Sequence, residues 1–211
     1  MKLSSNSFAD GQTIPGDFSF GVPDPQHHVR LGKNLNPHFA WSEIPPGAQS
    51  FVLICHDPDV PSRMDDANQE GRTVPATLPR VDFFHWVLVD LPASLSEIKV
   101  GKFSSEVTPR GKAGPGAPHG ARQGVNDYTK GFDGDGDMRG DYFGYDGPCP
   151  PWNDEIRHHY VFTVFALDVE RLPAEGKFDG QQVREAMRGH ILAQASLTGV
   201  YSLNPAIGAQ S

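Results

Sequence analysis

Three apolar runs constrain this chain more than anything else in it: "FVLIC" within 49–57, "FFHWVLV" within 82–92 and "YVFTVFAL" within 158–169. Each is nearly continuous rather than alternating, the pattern of strands covered on both faces. Period alone does not separate such a run from a short buried helix, but the enrichment in Val, Ile, Phe and Tyr favours strands. Between the runs the chain is cut by Gly and Pro, 23 and 19 of its 211 residues. That punctuation predicts many short strands and well-formed turns rather than a helical bundle.

Two further elements are readable. Asp179, with Gln182 three residues on, makes a capping box, and Val183, Met187 and Ile191 form a stripe at helical spacing. A C-terminal helix over 179–194 follows, then a last strand over 195–203. The stretch 93–157 is long, rich in Gly, Pro, Asp and Asn, and is expected to wrap the surface and line something, because a structureless loop of that length is usually functional. Residues 1–12 read as a polar N-terminal tail that frays, and 13–211 as a single domain, a length that buries a core without disulfides. Cys55 and Cys149 lie far apart and read as free thiols.

Charge narrows the function. With 26 acids against 18 bases and a net charge of -8, the chain is a poor match for nucleic acid or an anionic bilayer. The opening residues carry no apolar signal core, and no stretch reaches the ~20 apolar residues of a membrane span. A soluble, cytoplasmic protein is expected.

The polar residues that interrupt the three runs are the candidate site. "HDPDVPSR" (56–63) leaves the first run through Asp57 and Asp59, with Pro58 and Pro61 locking the turn. Side chains alternate across a strand. Asp57 and Asp59 therefore share parity with Phe51, Leu53 and Cys55; His85 with Phe83, Val87 and Val89; His158 and Tyr160 with Phe162 and Val164. If the strands are neighbours and their polar ends meet, Asp57, Asp59, His85, His158 and Tyr160 form one pocket. Histidines beside carboxylates tend to be protonated, so the lining would suit anions. The alternative is that each polar group is satisfied separately.

The pieces "FVLICHDPDVPSR", "FFHWVLVDLP", "GARQGVNDY", "YDGPCPPWND", "RHHYVFTVFALD" and "ILAQASLTGVY", with "LGKNLNPHFAWSEIPPG" upstream, resemble the phosphatidylethanolamine-binding protein family, in its bacterial Raf-kinase-inhibitor-like branch. The likeness spans about 14 to 203 through several spaced motifs. It implies a mainly β fold, an antiparallel two-sheet β-sandwich with Greek-key connections and a C-terminal helix. It also implies a cavity for small anions at one end of the sheet. By position the resemblance assigns ligand-binding roles to Asp57, Asp59, Pro61, His85, Gly147, His158 and Tyr160. A protein kinase or protease as partner and a homodimer are implied by the resemblance alone.

Other motifs weigh less. "DGDGDMRGD" (133–141) spaces acids like a calcium loop, but Met138 stands where the sharp-turn Gly belongs and Gly144 where the bidentate Glu belongs; a solvated turn is the expectation. Two histidines plus a carboxylate could make an iron-type site, or His85 with an Asp an acid–base pair for a metal-dependent or hydrolytic enzyme. No G-x-S-x-G nucleophile motif appears. The leading reading is a non-enzymatic binder of small phosphate-like anions, with no cofactor and no metal.

Overall fold

The computed structural model describes residues 1–208. Its strands, in chain order, are β1 (Lys2–Ser4), β2 (Gly21–Asp24), β3 (His28–Leu31), β4 (Phe39–Ser42), β5 (Ser50–Pro61), β6 (Arg80–Pro92), β7 (Glu97–Ile98), β8 (Gly111–Lys112), β9 (Arg122–Gln123), β10 (Asp141–Tyr142), β11 (His158–Leu167) and β12 (Ile191–Tyr201). The helices are short: α1 (Tyr128–Gly131), α2 (Gly180–Ala186) and α3 (Pro205–Gly208). The chain is mainly β with few helices. A five-stranded antiparallel sheet in the order β12-β11-β5-β6-β9 dominates, beside a three-stranded sheet β1-β4-β7 and two-stranded pairs β2-β3 and β10-β8.

The three apolar runs are the three central strands of the large sheet, and both faces are covered as their continuity requires. Phe51, Leu53 and Cys55 of β5, with Leu88 and Phe162, face a core that includes Phe39, Trp41 and Ile98 of the small sheet. Val52 and Ile54 point the other way and pack, with Val87 and Val89, against Leu172, Phe178, Val183 and Met187.

Two irregularities in the β5–β6 ladder matter for the site. Cys55 pairs with Trp86 but His56 pairs with Phe84, so His85 is an extra residue opposite no partner of its own. This bulge shifts the parity. Phe84 joins Val87 on the far face, and His85 turns to the face of Leu53 and Cys55. The alternation that grouped His85 with Val87 and Val89 is thus corrected by one inserted residue. The second irregularity lies between Asp57 and Val60. The prolines do not end β5; they displace its register, and pairing resumes at Val60 and Pro61 with Val81 and Arg80.

Two other expectations need revision. The helix begins where the capping box places it, with the Asp179 carboxylate accepting the Gln182 N–H at 3.0 Å and Gln182 Oε1 accepting the Asp179 N–H at 2.9 Å. It ends at Ala186, however, and Gly189 turns the chain at φ +82°. Ile191, assigned to the helical stripe, pairs instead with Leu167 at the start of β12. The first dozen residues are tied down rather than frayed: β1 pairs with β4, Phe8 is buried, the Gly11 N–H donates to the Thr198 carbonyl and the Gln12 carbonyl accepts the Val200 N–H, both in β12.

Phe162 sits at the centre of the shared core, fully buried against Phe8 and Phe39. Phe162→Ala should cost about 3–5 kcal/mol in chemical denaturation, since the cavity adds to the lost transfer energy. A loss under about 1 kcal/mol would mean the two sheets do not depend on this contact.

Candidate functional site

At the end of the large sheet where β5 leaves through its prolines, a cavity of about 280 Å³ opens between the strand ends and the 128–151 segment. Asp57, His85, His158 and Tyr160 line it together, as does Pro61. Most of the remaining wall is apolar: Phe20, Phe83, Phe132, Cys149 and Pro151 among others. The long segment after β6 therefore does line the cavity, through Tyr128, Phe132 and the prolines after Cys149. From the other side Met64 and Asn68 close it, and Asn68 is pinned twice: its backbone N–H donates to Asn153 Oδ1 at 2.8 Å and its Oδ1 accepts the Trp152 N–H at 3.0 Å.

His158 is fully buried between two carboxylates. Its Nδ1 donates to Asp57 Oδ2 at 2.7 Å and its Nε2 to Asp154 Oδ2 at 3.1 Å. Burial opposes a charge there, but hydrogen bonds to Asp154 and Asp57 outweigh it and raise the imidazolium pKa to about 9. Both ring nitrogens then carry protons and both are occupied. Asp154 also accepts from both Nη nitrogens of Arg80, at 2.6 and 3.0 Å. Burial would push the Asp154 carboxyl up, yet the bonds from His158 and Arg80 hold it below the usual range. Asp57 Oδ1 accepts the Asp59 backbone N–H at 2.7 Å, closing the turn that Pro58 shapes. Two cations thus face two carboxylates, and the Asp57 carboxylate orients a histidine.

His85 is the opposite case. It is 3% exposed, and its Nδ1 lies 2.7 Å from the backbone carbonyl oxygen of Asp146. A carbonyl only accepts, so Nδ1 carries the proton and Nε2 is left with a lone pair. Burial lowers its pKa from 6.5, against the pull of Asp57 and of the Asp146 carbonyl. The expectation that pocket histidines are protonated holds for His158 and fails for His85. Desolvation decides there, because no side-chain carboxylate bonds the ring. The ring of Tyr160 stands 5.1 Å from that of His85, and the buried Tyr160 Oη has no hydrogen-bond partner among the described residues.

The other assigned residues are placed differently. Asp59 turns outward, where its Oδ2 accepts the backbone N–H and Nδ1 of the exposed His159 at 2.8 and 2.7 Å. Gly147 is buried, but its N–H donates to Asn34 Oδ1 at 2.8 Å and its carbonyl accepts the Tyr128 hydroxyl at 2.9 Å. A Cβ at 147 would come within 2.1 Å of the Phe18 carbonyl oxygen. Glycine is needed there for close backbone approach. Asp135, in the acidic loop, accepts the N–H groups of Asp137 and Met138, an Asx-type turn. Among the described residues no cluster of three or more His, Cys, Asp or Glu is placed to hold a metal ion.

Sequence reasoning missed the support behind His85. Asp146 is wholly buried, and its carboxylate accepts from Asn34 and Asn126 at 2.7 Å each and pairs with Lys112 at 3.0 Å. Burial pushes the Asp146 carboxyl up and the Lys112 ammonium down. This network fixes the loop whose carbonyl sets the His85 tautomer. Asn34, Asn126 and Asp146 all lie inside "LGKNLNPH", "GVNDY" and "YDGPCPP", but nothing in a loop sequence says which amides converge. Asp154 had a weak signal, four residues before His158.

Comparison with known proteins decides the family. The family model for phosphatidylethanolamine-binding protein matches residues 4–202. The chain belongs to this family. It is 32% identical to the UPF0098 protein YbhB of Escherichia coli K12, over 96% of this chain and all of that protein. A UPF0098 protein of Aquifex aeolicus is also 32% identical, over 95% of this chain and 88% of the relative. Among solved structures it resembles E. coli YbcL, described as a member of the mammalian PEBP family, with a TM-score of 0.67 and 26% identity over 95% of this chain and 97% of that one. A family homologue from Chlamydia trachomatis, CT736, gives 0.62 and 29%, covering 95% and 96%. Among the described residues no helix is long and apolar enough to cross a membrane.

The two histidines tilt stability in opposite directions. An unfolded imidazole titrates near 6.5, so what protonated His158 contributes is complete below 6.5 and drains away as pH rises to about 9. That is roughly 3 kcal/mol. His85, held below 6.5, contributes fully above that value and loses it as pH falls. Urea denaturation between pH 5 and 9 should show a declining alkaline limb that vanishes in His158→Asn. An alkaline limb of unchanged slope in the variant would assign it to other groups.

Proposed function

We propose that the chain works as one domain, a non-enzymatic module that binds a small phosphate-like acid, free or as the head group of a larger molecule. The observation that carries this is a mostly apolar cavity of about 280 Å³ lined by two buried polar side chains with unused hydrogen-bonding capacity, His85 Nε2 and Tyr160 Oη. Pockets with apolar walls and a few converging polar groups are binding sites by default. Asp57, Pro61 and His158 support it as floor and wall. Asp59 and Gly147, assigned to the ligand by resemblance, enter the reading as the residues that hold the turn and the loop.

The hydrolytic alternative has less support. His158 and Asp57 are occupied with each other, and burial pushes the Cys149 thiol up to about 12, so the thiol in the wall stays protonated. A nucleophile needs a base or a lowered pKa beside it. The reading also takes in, by family membership, the two-sheet sandwich with Greek-key connections, for which the core shared by the two sheets is the support. Cytoplasmic work, modulation of a protein kinase or protease, and a homodimer belong to the same reading. The part of β12 from Ile191 to Ser196 lies on the edge of the large sheet, with Ile191 and Leu192 exposed, and suits a second copy.

Calorimetry with inorganic phosphate and with O-phosphoethanolamine tests the central claim. His85→Ala should weaken either ligand about tenfold, the scale of one lost hydrogen bond to a charged group. His158→Ala should weaken both as well, by releasing Asp57 and Asp154 from their shared cation. Unchanged affinity in both variants would end the proposal.

A further inference from the structure

The polar groups left available in the cavity are not a matched set of donors. His85 is faced by Asp57 from β5, by the Asp146 carbonyl and carboxylate, by Asp127 and Tyr128 at the start of α1, and by Tyr160 from β11. The charged groups among these, the Asp57, Asp146 and Asp127 carboxylates, are negative, yet the ring stays neutral at neutral pH because burial outweighs them. The nitrogen it can offer a guest is Nε2, since Nδ1 is held by the Asp146 carbonyl. His158, the cation of the cavity, has no free N–H to offer. A guest therefore meets an acceptor at His85 and a hydroxyl at Tyr160, which can donate.

From this, resting on the binding reading above, we infer that the cavity selects oxyacids that still carry one acidic proton, which is donated to His85 Nε2 while Tyr160 Oη donates to an unprotonated oxygen. A fully deprotonated oxyanion brings only acceptors. It leaves Nε2 facing a like lone pair inside a low-dielectric wall, and a buried acceptor without a donor is costly. A singly protonated phosphate, phosphonate or phosphomonoester satisfies both groups at once. Sulfate and sulfate monoesters, of the same shape, have no proton to give. The inference makes His85 a specificity-determining residue, and it ties affinity to the ligand's own second ionisation, near pH ~6 for phosphomonoesters.

Methyl phosphate and methyl sulfate separate this from general anion capture, because their singly charged forms differ only in that proton. At pH 6.5, where about a quarter of an ester with a second pKa of ~6 still carries the proton, calorimetry on the full chain should show methyl phosphate bound about threefold or more tightly than methyl sulfate. Its affinity should fall as pH rises and the second proton is lost. As pH falls through the His85 titration, which burial holds below the ordinary 6.5, the gap should close, because His85 takes up a proton and becomes a donor itself. His85→Gln, whose amide can present either atom, should bring the ratio toward one, and Tyr160→Phe should weaken methyl phosphate while leaving the melting temperature within a few degrees of the parent. Equal affinity for the two esters in the parent protein, both lost in His85→Ala, would overturn the inference and leave the binding reading standing. Failure of either ester and of inorganic phosphate to bind at all would overturn both. A ratio retained in His85→Gln would also overturn the assignment to His85.

Discussion

A histidinium buried between two carboxylates holds this end of the molecule together. His158 stands at the first position of β11, Asp57 just before β5 loses its regular register, and Asp154 in the loop that enters β11. One imidazolium ring joins all three, and Arg80, the first residue of β6, closes the set through Asp154. Two positive groups against two negative ones keep the buried charge balanced. Removing any one member would strand a partner away from water, at a cost of several kcal/mol. The strand ends therefore have little freedom to part, and the cavity between them has a fixed floor.

The same side-chain type does contrary work in the wall of the same cavity. His85 receives no carboxylate of its own; the β-bulge that delivers it to the cavity also sets it against a backbone carbonyl. Charge is stabilised on one histidine and suppressed on the other by their partners alone. The fixed cation anchors structure, and the neutral ring keeps one nitrogen, Nε2, outside its bond to the Asp146 carbonyl. The Asn34–Asp146–Asn126 network stands behind this division, because it holds the carbonyl that decides which nitrogen is protonated.

What could be read in advance follows from how local each constraint is. The continuous apolar runs located the three central strands, and alternation along β11 put His158 and Tyr160 on the face of Phe162. Alternation along β6 failed at His85, because a bulge is a relation between two strands and leaves no mark in either sequence. The stripe that carried the predicted helix past Ala186 failed for a related reason: Ile191 is apolar at helical spacing, but pairing with β11 claims it. Asp59 resembled Asp57 in every local respect, and the register shift sent it outward to His159. Asn34, Asn126 and Asp146 were inside recognisable segments, yet their convergence spans 112 residues of chain.

The unpaired hydroxyl of Tyr160 gives the strongest reason to regard the cavity as more than a packing defect. Buried polar atoms in folded proteins are overwhelmingly hydrogen-bonded, and each exception calls for a cause. Here the protein has provided for almost every neighbour: both nitrogens of His158, both oxygens of Asp57, the hydroxyl of Tyr128 and that of Tyr145 all have partners. A phenylalanine at 160 would fill the same space among Phe and Pro side chains without leaving a polar atom unmatched. Keeping a buried oxygen there without a partner destabilises the protein, and a guest that satisfies it would recover that loss as binding free energy. The wall of one small cavity thus divides in two, with the charged residues tied to one another and the neutral Tyr160 hydroxyl without a partner among the described residues.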